Sequence, residues 1–176
     1  LLSCHFSVKN GLNNPESGFM ILVRRSVDLT EHTGAHVALN RLLHIPNGLA
    51  ADLADSIKNA FNIDEVVALC KKKPDLVVSL LENGTSSIAI AYMISSVTDL
   101  AAQKILQLSI DEFGKPPVPF AFLALGSHGR QSQTLFSDQD NAIVYSLSGD
   151  EDKEAAQSYF SELATIVCDS LELAGL

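Results

Sequence analysis

The sequence predicts an α+β protein in which an N-terminal helical bundle leads into part of an α/β domain. Three observations carry this expectation. Apolar residues recur at helical spacing between Leu49 and Phe113, two short apolar runs at Phe120–Leu125 and Ala142–Leu147 have the length of strands, and Gly114-Lys115-Pro116-Pro117 breaks the chain between the two regimes. A period near 3.6 marks helices, short bounded apolar runs mark strands, and Gly/Pro clusters mark the breaks. The chain divides accordingly into residues 1–46, a linker or the remnant of an upstream domain, residues 47–115, the bundle, and residues 116–176, the first part of the α/β domain.

Within residues 1–46, Gly11-Leu12-Asn13-Asn14-Pro15 marks a loop, and Phe19–Val23 is a short apolar run. Glu31, His32 and His36 could set two imidazoles a helical turn apart, but Gly34 intervenes and no third ligand accompanies them, so they read as surface histidines. Leu49, Leu53, Ile57 and Phe61 then define one face of a first helix. Asp64-Glu65 opens a second at the end where the helix dipole favours acids, and Lys71-Lys72-Lys73 closes it at the end that favours cations. Pro74 starts a third helix, Asp75–Glu82, which Asn83-Gly84 ends. Ser86 or Ser87 caps a long fourth helix reaching Phe113, with Asp99 in its middle as a buried hydrogen-bonding or salt-bridging residue. Beyond the break come the two strands, with a short helix expected over Gly129–Leu135 between them. Asp150-Glu151-Asp152 caps a last helix, about Glu154 to Ala174, whose packing face is Phe160, Leu163, Ile166, Val167 and Leu171.

Composition narrows the function. The chain has 176 residues, 47% of them apolar, enough for a sizeable core. Its formal charge of −9 leaves no basic stripe to neutralise a polynucleotide backbone, which argues against nucleic acid as partner and for a free nucleotide. Cys4, Cys70 and Cys168 are odd in number and widely spaced, so neither a disulfide framework nor a zinc cluster is expected and a reducing cytoplasm is the default. The most apolar window, Ile88–Val97, is too short to span a bilayer. The start at Leu1-Leu2-Ser3-Cys4-His5 has neither a signal-peptide pattern nor an initiator methionine, and it reads as a piece of a longer protein.

The chemistry concentrates in Gly126-Ser127-His128-Gly129-Arg130 and, a short gap later, Ser137-Asp138-Gln139-Asp140-Asn141. On a strand, Asp138 and Asp140 would project from one face with their α-carbons roughly 6.6 Å apart, at about 3.3 Å of rise per residue. Such a pair can share a divalent metal. Magnesium is usually held by one or two carboxylates and completes its shell with water and phosphate oxygens. The Gly126-Ser127 turn supplies the complement, since glycine admits close approach of a phosphate and unpaired N–H groups attract anions. His128 reads as a solvent-facing turn residue, and Arg130 as a surface residue that can pair with Asp138 or Asp140 when no metal is bound.

Gly-Ser, ten intervening residues, then Asp-x-Asp resembles the nucleotidyltransferase superfamily typified by DNA polymerase beta. The fuller string from Ala124 to Ala142 looks like one branch of it: nucleotidyltransferases related to the PII-protein uridylyltransferases, found in bacterial signalling proteins that also carry CBS or cyclic-nucleotide-binding domains. The resemblance is most specific from Pro116 to Tyr145 and more diffuse from Leu49 to Phe113. It implies that Gly126 and Ser127 bind the terminal phosphates of an NTP, that Arg130 contacts phosphate, and that Asp138 and Asp140 bind Mg²⁺ or Mn²⁺. It further implies transfer of a nucleoside monophosphate to a hydroxyl of an acceptor protein or small molecule, in signal transduction, with residues 1–46 ending an upstream sensor domain. The chain departs from the family at Ser132, where an acid is common. The superfamily's third carboxylate lies on a later strand, so residues 1–176 alone are expected to be catalytically silent, with turnover reserved for the full-length protein. Otherwise, the fold serves as a non-catalytic nucleotide-sensing or protein-interaction module.

Overall fold

A computed structural model describes residues 48–147 and 153–176. The stretch from Leu1 to Pro46, with His32 and His36, lies outside the described residues, as does Asp150-Glu151-Asp152. The architecture is α+β and mostly helical, with elements in the order α1 (Leu49–Asn59), α2 (Ile63–Cys70), α3 (Lys73–Glu82), α4 (Ser87–Phe113), β1 (Phe120–Ala124), α5 (Gly126–Gly129), β2 (Asn141–Tyr145) and α6 (Lys153–Leu173).

Helix α1 buries Ala50, Leu53, Ala54 and Ile57, an i, i+3, i+4, i+7 stripe. Two members of its expected face fall outside that stripe: Leu49 is exposed, and Phe61 lies beyond the extended cap at Ala60, where helical spacing no longer applies. At α2, the Asn62 side chain accepts from the Glu65 N–H (2.8 Å), while the Glu65 carboxylate accepts from the Phe61 N–H (2.7 Å). This reciprocal cap satisfies two donors at the helix start.

The lysine run behaves differently from expectation. Helix α2 stops at Cys70, Lys71 caps it, and Lys73 is the buried first residue of α3. The Lys73 ammonium reaches the Gly175 carbonyl (3.4 Å), so it serves the carboxyl end of α6 rather than that of α2. Burial lowers its pKa, and burial beside it pushes the Cys70 thiol up to about 11. Pro74 sits in the first turn of α3 as its fixed φ permits, and Gly84, at φ +75°, ends the helix.

Ser86 caps α4 by accepting from the Ala89 N–H (3.3 Å), and α4 then runs 27 residues to Gly114. It is the centre of the molecule, burying Met93, Ile94, Val97, Ile105 and Leu106 among others, and α1, α2, α3 and α6 pack around it. Helix α6 contributes Phe160, Leu163, Val167 and Leu171 to the same core, with Ile166 only half-buried at its margin. Among the described residues no helix is long and apolar enough to cross a membrane.

The two strands pair antiparallel, with Phe120 opposite Tyr145 and Ala124 opposite Asn141. Phe160 of α6 fastens this ribbon to the bundle, its ring 4.6 Å from that of Tyr145 and 5.2 Å from that of Phe120. Aromatic contacts of this kind add to simple area burial, which matters for a two-stranded sheet with little stability of its own.

Candidate active site

The site grows out of the end of β1. The Leu125 N–H donates to the Asp140 carbonyl (2.7 Å), extending the ladder one step past the strands and fixing Asp140 beside the point where the chain turns. Gly126 makes that turn at φ +51°, a conformation glycine adopts without penalty. A Cβ built on it would run into Asp140 Oδ2 and lie 3.1 Å from Asp140 Cγ. The Asp140 carboxylate therefore occupies the space that a side chain at position 126 would need.

One helical turn follows. The expected short helix over Gly129–Leu135 is instead Gly126–Gly129, because Gln131, at φ +58°, terminates it. Gln131 N–H donates to the His128 carbonyl (2.9 Å) and Ser132 N–H to the Ser127 carbonyl (3.0 Å), the paired bonds of a Schellman ending. At the other end Leu125 offers no side-chain cap, and first-turn N–H groups have no acceptor within a helix. Ser127 is half-buried there and Arg130 is exposed. Gly129 is required for another reason: a Cβ on it would lie 2.6 Å from the Ala124 carbonyl oxygen, so helix and strand touch backbone to backbone.

The acidic pair precedes β2 rather than heading it, since pairing begins at Asn141. Alternation continues upstream nonetheless: Asp138 and Asp140 are exposed, Gln139 and Asn141 half-buried. The Asn141 amide donates to Gln139 Oε1 (3.1 Å), tying the inward side chains together. The loop before the pair is braced by hydroxyls, with Ser137 Oγ accepting from the Thr134 N–H (2.7 Å). Among the described residues neither acid forms an ion pair, so Arg130 does not neutralise them. No third His, Cys, Asp or Glu among the described residues joins them.

His128 corrects the sequence reading most clearly. It is buried, not solvent-facing, and its Nε2 lies 2.7 Å from Asp99 Oδ1 on α4. Asp99 thereby has the hydrogen-bonding role expected of it, though it is half-buried rather than buried. Polar residues in Gly-rich turns usually face water, and nothing local in the sequence marks this turn as lying against a helix 29 residues earlier. Ser95, one turn before Asp99, likewise accepts from the Gln133 N–H (3.3 Å).

Exposed Asp140 beside Gly126, with exposed Asp138 two residues earlier in the chain, offers donors of the oxygen-only, incomplete kind that magnesium or manganese takes together with phosphate oxygens. They do not make the closed nitrogen and sulfur set of a structural zinc site. The family model described as "Putative nucleotidyltransferase DUF294" matches residues 71–176. The chain belongs to this nucleotidyltransferase family. The match takes in α3, α4, the glycine turn, the acidic pair and α6. No curated protein and no solved structure matches the chain.

Proposed function

We propose that this chain carries the nucleotide- and metal-binding half of a nucleotidyl-transfer site, acting on an NTP and a hydroxyl acceptor. The observation that supports it best is the contact of Asp140 with Gly126, which sets a carboxylate with no ion-pair partner among the described residues against the side-chain-free start of a turn. Asp138 and Asp140 would hold Mg²⁺ or Mn²⁺, which supplies neutralisation of phosphate charge and polarisation of the α-phosphate. Gly126 and Ser127 admit and hydrogen-bond the terminal phosphates, and exposed Arg130 adds a cation for which no described acid competes. In the transfer, the acceptor oxygen bonds to the α-phosphorus, the bond to the bridging oxygen breaks, pyrophosphate leaves and the hydroxyl proton passes to solvent or a base. Such chemistry depends on positioning and charge stabilisation more than on covalent catalysis. By resemblance to the PII-protein uridylyltransferases, the acceptor is a regulatory protein in a signalling system, with a sensor domain upstream.

Calorimetric titration of Mg²⁺ or Mn²⁺ with ATP or UTP should show binding that combined Asp138→Asn and Asp140→Asn substitution abolishes. Unchanged binding by the double variant would refute the assignment. A second reading, nucleotide sensing without turnover, draws on the two-acid set with no third acid among the described residues. Pyrophosphate release with labelled NTP and candidate acceptors separates the two, since sensing predicts binding and no release.

A further inference from the structure

The part-buried Asp99–His128 contact is used by none of the chemistry above, yet it joins the central helix of the bundle to the glycine turn. We propose that Asp99 is a positioning residue: through His128 it fixes the Gly126–Gly129 turn, and with it the phosphate-binding backbone, against helix α4. The inference rests on the reading that this turn receives phosphate.

The geometry is specific. His128 is the residue after Ser127, its side chain is 1% exposed, and its Nε2 faces Asp99 Oδ1 at 2.7 Å. Facing a carboxylate, Nε2 carries a proton and donates it, so Asp99 sets both the ring's orientation and the nitrogen that is protonated. His128 Nδ1 is buried with no hydrogen-bond partner among the described residues, so Asp99 is the ring's one polar anchor among them. Ser95 lies four residues before Asp99, on the same face of α4, and accepts from the Gln133 N–H. One face of one helix thus holds the turn at His128 and again at Gln133. The bonds within the turn are local, from Gly129 N–H to Leu125, Arg130 N–H to Gly126 and Ser132 N–H to Ser127, and they shape it without placing it against the core.

A polar pair is an expensive way to fill space, because well-packed apolar side chains of similar volume often hold a fold as well or better. What the pair supplies and an apolar pair does not is a direction. The ring cannot slide or turn over without breaking a charge-assisted bond, and Ser127 and Gly126 are one and two residues away. Asp99 does not reach the reacting atoms, and its effect is carried by the turn.

The test compares residues 1–176 as parent, Asp99→Asn and Asp99→Leu. The readouts are nitrogen NMR of the His128 ring, amide hydrogen exchange and calorimetric affinity for Mg²⁺·ATP. Asn keeps an acceptor for Nε2–H and should retain the protonated Nε2, the turn's exchange protection and the affinity. Leu should speed exchange at Arg130 and Gln131 roughly 10-fold or more, the scale of a lost hydrogen bond to a charged group, and weaken Mg²⁺·ATP binding similarly, while α6 amides keep their protection. A merely structural role would instead raise exchange in α6 as much as in the turn. Parent-like exchange in the turn for Asp99→Leu, equal damage from Asn and Leu, or a parent His128 without a proton on Nε2 would each overturn the proposal. The last outcome needs no variant to fold. If the parent binds no Mg²⁺·nucleotide, the proposed function fails, while exchange and NMR still decide whether Asp99 positions the turn.

Discussion

Replacing Gly129 by alanine should lower stability at a place where the same change usually raises it. In a helical turn with ordinary φ, glycine-to-alanine substitution stabilises by roughly 0.5–1 kcal/mol through the entropy of the unfolded chain. At Gly129 the new methyl would lie 2.6 Å from the Ala124 carbonyl oxygen, where ordinary contact starts at 3.4 Å. Ala124 cannot yield, since it is paired with Asn141 and the ladder continues through Leu125 and Asp140. The turn must therefore back away by the better part of an ångström, and overpacking of this kind costs about 1–3 kcal/mol. After subtracting the entropic gain, a net loss of about 0.5–2 kcal/mol is expected. Urea unfolding should show a lower midpoint with an unchanged m-value, the mark of a stability change alone. Mg²⁺·ATP affinity should fall as well, because the retreat carries Ser127 away from Asp140. A variant as stable as the parent, or more so, would show that helix and strand do not touch as described.

Two other outcomes follow from the same structure. Gly126→Val should weaken Mg²⁺·nucleotide binding far more than Ser127→Ala does, because Val meets the Asp140 carboxylate and a strained φ of +51°, whereas Ser127→Ala forfeits one hydrogen bond of about 0.5–1.5 kcal/mol; comparable affinities for parent and Gly126→Val in calorimetry would contradict this. Cys70, whose thiol burial raises from 9.0 to about 11, deprotonates later in the folded chain than in the unfolded one, so the folded state binds more protons between those values and its stability drops across that window by about 2–3 kcal/mol. Lys73, with its pKa lowered by burial, slopes the other way up to about 10.5, so urea unfolding from pH 8 to 11 should show Cys70→Ala losing less stability than the parent, and parallel profiles would refute the assignment.

Helices were legible because their signals are local: the Asp64-Glu65 acids at one start and the Ser86 cap at another, Pro74 in a first turn, Gly84 and Gly114 at the ends. The strands were legible from short apolar runs, and the glycine turn and acidic pair singled out by their spacing come together in space at Gly126 and Asp140. What the sequence hid was set by distant partners. His128 faces inward because α4 presents Asp99 to it, and Lys73 serves the end of α6 because the core brings Gly175 to it. The misplaced short helix had a subtler cause. Gly129 resembles a helix start after a glycine turn, but Gln131 takes the left-handed conformation usually left to glycine or asparagine and ends the helix early.

The two acids of the site are held by different means, and this gives them different sensitivities. Asp140 is fixed by the sheet: its carbonyl accepts from Leu125 N–H, and the register of five strand pairs places it beside Gly126. Separating Asp140 from the turn means breaking the ribbon that Phe160 clamps to the core. Asp138 lies three residues before Asn141, the first paired residue of that ladder, and the braces on its side of the loop include the hydroxyls of Thr134 and Ser137 and the Ser95 contact to Gln133. Loss of those braces would move Asp138 and leave Asp140 where it is, whereas loss of the aromatic clamp would move both. A metal shared between the acids would therefore read out the loop and the sheet together, and its affinity would respond to changes in α4, which anchors that loop at Ser95 and the turn at Asp99 without approaching the metal.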